Sequence, residues 1–110
     1  MNKKVLVKSI EDLLGIVILI ENIKDKDFLA NLLESHGCKV GWKNGIGFEE
    51  SRIKEYDKWV LHTKLQGDTF DTPRAFSTDR TPDISFKDLV FQIEDRQTDS
   101  SMIMNFFSNQ

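Results

Sequence analysis

The sequence predicts an α+β domain in which two main helices pack on one face of a small antiparallel sheet. Segments whose apolar residues alternate, as in residues 57–66, are interspersed with segments whose apolar residues recur at helical spacing, as in residues 28–33. Of the 110 residues, 39% are hydrophobic and 30% are charged, which is the balance of an ordinary globular domain. We therefore expect one domain over residues 1–97, followed by a C-terminal tail over residues 98–110 that carries an apolar cluster.

The first segment, residues 3–14, allows two interpretations. Charged and apolar residues alternate through the sequence KKVLVKS, which favours a short strand, but a helix that continues through the segment fits nearly as well. Ser9 and Asp12 have the spacing of a capping box at the start of a helix. Gly15 is well placed to end that short helix, because glycine readily adopts the left-handed conformation found after a helix.

The next two elements have clearer signals. Residues 15–22 contain four isoleucine or valine residues and are apolar on both alternating faces, which predicts the central strand, covered on both sides. Residues 25–36 carry a helical apolar stripe, with Asp25 or Asp27 as the N-terminal cap and Gly37 at the C-terminal end.

The segment 37–50 contains four of the six glycines. A polar segment follows it, and it has no Lys-Ser or Lys-Thr pair, so it does not fit a phosphate-binding loop that opens a helix. We predict instead a hairpin with a three-residue loop at residues 43–45, because this register places Trp42 opposite Ile46 on an apolar face. Gly45 would then adopt the left-handed conformation.

The second half of the domain is predicted to contain a strand, a long connection and a helix. Residues 57–66 alternate as a half-buried antiparallel strand, and residues 67–83, rich in threonine and aspartate, form an irregular connection that includes a short edge strand at 74–77. Residues 84–97 carry a helical apolar stripe that begins at the capping residue Ser85.

Composition limits the classes of partner. The charge of −3 is spread over both halves without a basic patch, so nucleic acid is an unlikely direct ligand. The longest apolar run, residues 15–20, is too short to span a bilayer, so we expect no membrane association. A single cysteine, Cys38, cannot form an internal disulfide and fits a reducing compartment, which makes a cytoplasmic location the expectation.

The sequence contains few candidate catalytic or metal-binding residues. His36, Cys38 and His62 do not have the spacing of a zinc site, and nothing in the sequence activates Cys38 as a nucleophile with His62 as its base. The aspartates of the long connection lack the order of a calcium loop. We therefore predict that the protein is not an enzyme and has no catalytic residue, no metal site and no cofactor.

Several motifs resemble those of small phage and prophage accessory proteins. The shared features are a helix ending in His-Gly, a strand with Trp followed by Asn-Gly, a strand opening on Lys-Trp-Val-Leu, and the sequence Ile-Ser-Phe-Lys-Asp-Leu, together spanning residues 16–95. In that family a comparable G-x-K-W-x-S-G corner occurs. This chain departs from it, because Gly41 precedes Trp42 and Asn44 stands where serine is usual. The resemblance implies a phage or mobile-element protein that binds, and inhibits, a bacterial defence system.

The leading functional hypothesis is non-catalytic binding of a host macromolecule, such as a host or defence-system protein. The predicted contact residues lie in the long connection and the tail: Arg74, Phe76, Arg80, Met102, Ile103, Met104, Phe106 and Phe107. The tail would either form a homodimer or complete the protein's own core. The alternative is sequestration of a small anionic ligand, such as a signalling nucleotide, by Trp42, Trp59, Arg74 and Arg80.

Overall fold

The computed structural model describes residues 4–93 and shows an α+β fold. In chain order the elements are β1 (Val5–Val7), a 3₁₀ helix (Ile10–Leu13), β2 (Ile18–Leu19), α1 (Ile23–Ser35), β3 (Lys39–Val40), α2 (Phe48–Ser51), a second 3₁₀ helix (Ile53–Glu55), β4 (Lys58–Leu65), β5 (Asp68–Ser77), β6 (Ile84–Ser85), a third 3₁₀ helix (Phe86–Asp88) and β7 (Leu89–Phe91). The predicted fold class is confirmed. Within the described range, no helix is both long enough and apolar enough to cross a membrane.

The main sheet has five strands in the order β3-β5-β4-β2-β6, and a separate two-stranded sheet joins β1 to β7. The β4–β5 and β2–β4 pairs are antiparallel, as predicted, whereas β3–β5, β2–β6 and β1–β7 are parallel. The prediction of an antiparallel sheet is therefore wrong at both edges. Each edge strand pairs with a strand distant in sequence, and local alternation does not reveal such pairing.

One face of the five-stranded sheet forms the core together with α1. The strand pairings place Trp59 beside Ile18 and Leu61 beside Ala75, and cross-strand partners share a face. The buried residues of this core face and of the helix that covers it are Ile18, Leu29, Ala30, Leu33, Val40, Trp59, Leu61 and Ala75. Val7, Leu89 and Phe91 of the small sheet belong to the same cluster, so both sheets share one core.

The opposite face of the sheet, which we call the open face, carries a row of basic and polar side chains. Lys39 pairs with Arg74, and Arg74 pairs with His62, so these three residues from β3, β5 and β4 lie side by side on it. Phe76 pairs with Val60 in the next row and contacts His62 at a ring-centroid distance of 6.0 Å. None of these five residues belongs to the core cluster, although Val60 is itself buried.

Helix α1 confirms the predicted helix at 25–36, with a correction at its start. Asn22 caps the helix, because its side-chain oxygen accepts a hydrogen bond from the Lys24 backbone N–H at 2.8 Å, so neither Asp25 nor Asp27 is the cap. At the other end, Gly37 has φ +86°, as expected of a residue that terminates a helix.

The N-terminal segment combines both interpretations of residues 3–14. Val5–Val7 form a strand, and Ser9 and Asp12 form a capping box around a 3₁₀ helix that ends before Gly15, whose φ is +76°. The strand predicted at 15–22 forms as β2 inside the sheet, between β4 and β6, but it is shorter than predicted and the central strand is β4.

The turn after β3 agrees with the prediction at Gly45 but not in register. Gly45 has φ +69°, the predicted left-handed conformation. Ile46, however, pairs with Val40 rather than with Trp42, whose carbonyl oxygen instead accepts a hydrogen bond from the Gly45 N–H at 2.8 Å. Trp42 and Ile46 stay 39% and 47% exposed, so the continuous apolar face that motivated the predicted register does not form.

The predictions for residues 67–83 and 84–97 are the least accurate. Most of the expected connection is strand β5, and the expected edge strand at 74–77 lies inside the sheet, between β3 and β4. Gln66 and Gly67, both with positive φ, form a two-residue turn between β4 and β5. Glutamine is not a typical residue of such a turn, so the hairpin has a weak sequence signal.

The predicted helix at 84–97 is wrong over its described part, where two short strands flank a 3₁₀ helix. Parallel pairing with β1 provides backbone partners for β7, in which Leu89 and Phe91 are buried. The spacing of the apolar residues allowed both structures, and the pairing with β1 decided between them. Residues 94–97 and the whole predicted tail at 98–110 lie outside the described residues.

Candidate functional site

An open groove of about 640 Å³ lies where β3 and its following turn meet the first half of β5. Among the residues that line it are three cations, two carboxylates and an aromatic ring: Lys39, Lys43, Arg74, Asp68, Asp71 and Phe70. The groove exists because β3 pairs in parallel with β5, which brings residues 37–44 beside residues 68–74.

Arg74 is held in place at the floor of the groove. Its Nη1 donates a hydrogen bond to the Gly41 carbonyl oxygen at 3.1 Å, and its Cζ lies 4.7 Å from the centroid of the Phe70 ring. Phe70 is itself buried, so the guanidinium stacks on a fixed surface. A guanidinium has five N–H donors, and the contact with Gly41 uses one of them. The remaining donors are therefore oriented and available to a ligand.

Gly45 lets the turn close onto the basic residues. A Cβ at this position would lie 2.5 Å from Arg74 Nη1 and 2.8 Å from Lys39 Cβ, well inside normal contact distance. Two independent reasons therefore favour glycine at this position. Its backbone φ is +69°, and Arg74 and Lys39 occupy the space that a side chain would need.

The cations of the groove do not form ion pairs with its carboxylates. Within residues 4–93, none of Lys39, Lys43 and Arg74 forms a salt bridge, although Asp68 and Asp71 line the same groove. Three cations minus two carboxylates leave the groove with one net positive charge. Cations that lack an ion pair in the protein can neutralise an anionic ligand without first breaking an internal contact.

The predicted ligand-binding residues lie in different parts of the structure. Arg74 lies in the groove, and Trp42 lies in the adjoining turn and is 39% exposed. Trp59 is fully buried, and its Nε1 donates hydrogen bonds to the carbonyl oxygens of Ile53 at 3.1 Å and Tyr56 at 2.9 Å. Its predicted role as a stacking surface for a ligand is therefore wrong, because its ring is part of the core.

The other predicted contact residues do not join the groove. Phe76 lies on the open face beside His62, and Arg80 follows the opposite end of β5, where it is exposed. The remaining predicted contact residues all lie outside the described range: Met102, Ile103, Met104, Phe106 and Phe107.

Sequence reasoning missed Lys39, Lys43 and Phe70 as site residues. Lys39 alternates with the buried Cys38 and Val40, which is a signal that its side chain points away from the core. No local signal, however, places Lys39 beside Arg74, because the two residues meet only through the β3–β5 pairing.

The described residues bear on two of the chemical candidates, a metal cluster and a Cys38–His62 pair. In residues 4–93, no group of three or more histidine, cysteine or acidic side chains is placed to hold a metal ion. Burial, with a smaller effect from the charge of Glu11, raises the pKa of the Cys38 thiol to about 12, so it is protonated at neutral pH. Cys38 also faces the core, whereas His62 lies on the open face, so the two do not form a nucleophile–base pair.

Comparison of the chain with protein-family models, with curated proteins and with solved structures found no match. The resemblance to phage accessory proteins therefore stays a prediction. The chemistry of the groove provides the basis on which a function can be proposed.

Proposed function

We propose that this protein acts in the cytoplasm by binding, without catalysis, a small anionic ligand such as a signalling nucleotide, which it sequesters in the groove between β3 and β5. The observation that carries the proposal is the convergence of Lys39, Lys43 and Arg74 on one groove, with no ion pair to any of them among the described residues.

The three cations differ in what they offer to a phosphate group. Arg74 presents a planar, oriented set of donors suited to two parallel hydrogen bonds with phosphate oxygens. Lys39 and Lys43 add mobile point charges from β3 and its turn. The cavity volume of about 640 Å³ lies within the range of small-molecule sites, so a mononucleotide fits the groove in size.

A panel of nucleotides tests the proposal by thermal shift and calorimetry. A nucleotide that binds only the native state should raise the melting temperature, and the shift should grow with the logarithm of its concentration once that exceeds the dissociation constant. Arg74→Gln should weaken this binding by roughly tenfold to a hundredfold, because a charge-assisted hydrogen bond is lost.

Arg80→Gln is the matched control, since it removes the same charge from an exposed position beyond the other end of β5. Its nucleotide affinity should equal that of the unmodified protein. Equal losses in the two variants would mean that net charge, and not the groove, governs binding. No thermal shift with any nucleotide would contradict the proposal itself.

A second candidate function is binding of a host or defence-system protein, which the resemblance to phage accessory proteins implies. The observation that favours it is the exposure of Trp42 and Ile46 beside the basic groove, because tryptophan and arginine commonly dominate the energetics of protein interfaces. Such a partner would present an acidic surface to Lys43 and Arg74.

Co-purification of a partner protein from the native host tests this second candidate function. The test uses variants of two exposed aromatic residues. Trp42→Ala should lose a specific partner, whereas Tyr56→Ala, which removes a ring that is 54% exposed elsewhere on the surface, should retain it. A partner that both variants retain equally would argue against this surface.

For the tail at 98–110, homodimer formation remains a proposal that rests on its apolar sequence. Sedimentation of the full chain and of a chain truncated after Asp99 tests it. A dimer that becomes a folded monomer on truncation supports the proposal, and a full-length monomer contradicts it.

A further inference from the structure

We propose that the groove is bipolar and selects ligands that carry hydroxyl or amino groups beside a phosphate, as a ribonucleotide does. The basic side, Lys39, Lys43 and Arg74, would take the phosphate, and Asp68 and Asp71 would accept hydrogen bonds from the sugar hydroxyls or the amino group of the base. This inference rests on the proposed function and narrows it, because it excludes simple phosphates as the preferred ligand.

The first basis for the inference is how the charges are distributed between the structural elements. Lys39 and Lys43 come from β3 and its turn, Asp68 and Asp71 come from the start of β5, and Arg74 lies further along β5, where it pairs with Lys39. In the described part of the chain, neither aspartate forms an ion pair with the cations of the groove. Because, within the described range, none of these groups is taken up by an ion pair with another, both signs of charge are available to a ligand.

The second basis is the electrostatic effect of the carboxylates on an anion. A site for a simple phosphate gains nothing from Asp68 and Asp71, because each carboxylate repels the ligand. An ionised carboxylate can only accept hydrogen bonds, so a favourable contact requires a donor on the ligand. Ribose hydroxyls and exocyclic amino groups are such donors, and with them the same carboxylates become attractive.

The third basis is the size of the groove. Its volume of about 640 Å³ is far larger than one phosphate group requires and leaves room for a sugar and a base. Thr69 and Thr72 also line the groove, and their hydroxyl groups can donate and accept additional hydrogen bonds. A ligand that is anionic at one end and rich in hydroxyl groups at the other fits this arrangement.

The test compares adenosine 5′-monophosphate with inorganic pyrophosphate by calorimetry, using the full chain and the double variant Asp68→Asn, Asp71→Asn. Asparagine keeps the shape of aspartate but removes its charge. We expect the double variant to bind the monophosphate about tenfold more weakly, because charge-assisted hydrogen bonds are lost. The same variant should bind pyrophosphate as tightly as before or more tightly, because repulsion is removed.

Asp79→Asn is the matched control, because Asp79 is exposed and does not line the groove, and it should leave both affinities unchanged. Tighter binding of both ligands by the double variant would overturn the inference, since the carboxylates would then only repel. Loss of monophosphate binding on adding a chelator would also overturn it, because the aspartates would then act through a divalent cation.

The failures of the two proposals are distinguishable. If no nucleotide of the panel binds, both the proposed function and this inference are wrong. If both ligands bind and depend on Arg74, but the double variant does not discriminate between them, only the inference fails.

Discussion

The two faces of the five-stranded sheet use the same strands for different purposes. On the core face, Trp59 and Leu61 are fully buried against the helical layer. On the open face, Lys39, Arg74 and His62 form a row across three strands, and the first two of them line the groove. Because strand residues alternate between faces, neighbours in sequence should differ in whether their substitution affects stability or binding.

The largest expected effect contrasts the two tryptophans. Trp59→Ala should lower the free energy of unfolding by about 3–5 kcal/mol, because it empties a fully buried site beside Phe48 and removes two hydrogen bonds. Trp42→Ala should cost less than about 1 kcal/mol, since its ring is 39% exposed. Urea denaturation of both variants measures the difference. Similar losses of unfolding free energy would contradict the assignment of Trp59 to the core and Trp42 to the surface.

A second contrast concerns two glycines that both have positive φ. Gly45→Ala should lower the free energy of unfolding by about 2 kcal/mol, because the new Cβ meets Lys39 and Arg74 in addition to straining the backbone. Gly15→Ala, at φ +76° with no atom within 4 Å of the new Cβ, should cost about 1 kcal/mol. Equal losses would show that backbone strain alone makes glycine necessary at position 45.

The third prediction concerns pH and the core face. The raised pKa of Cys38, about 12 against an ordinary value of 9.0, means that the unfolded chain releases its thiol proton at lower pH than the folded one. This contribution to stability is fully present below pH 9.0 and is lost as the pH rises through about 12. Denaturation between pH 8 and 11 should therefore show a fall in stability that is smaller in Cys38→Ala.

Thiol labelling at constant pH also tests whether Cys38 is buried and protonated. At pH 8 the folded protein should react slowly with an alkylating reagent at Cys38, because little thiolate is present and the side chain is 3% exposed. A cysteine introduced at the exposed Asn44, in the Cys38→Ala background, should react at the rate of a free thiol. Equally fast labelling of the two would contradict the buried position of Cys38.

The smallest expected effect on stability is at the floor of the groove. Arg74→Gln should change the free energy of unfolding by less than about 1 kcal/mol, because Arg74 is partly exposed and, among the described residues, its side chain makes one hydrogen bond, to Gly41, and one ring contact, with Phe70. Its effect should be on ligand affinity, as described above. A large loss of stability in urea denaturation would show that the open face also supports the fold.

Local interactions determined the parts of the fold that the sequence predicted well. Helix α1, the Ser9–Asp12 capping box and the left-handed Gly45 depend on residues close together in the chain. Strand β4 depends on alternation within a single segment. The sequence by itself therefore indicates the α+β class, the main helix and one residue of the candidate groove, Arg74.

Tertiary structure alone decided the parallel pairings and, through them, the groove. The spacing that predicted a helix is that of Phe86, Leu89, Val90 and Ile93, and the pairing with β1 makes Leu89–Phe91 a strand instead. Lys39 is an ordinary surface lysine in the sequence and becomes a groove residue because β3 pairs with β5. Pairing between distant strands depends on how the whole chain buries its apolar surface, and short-range periodicity carries little information about that.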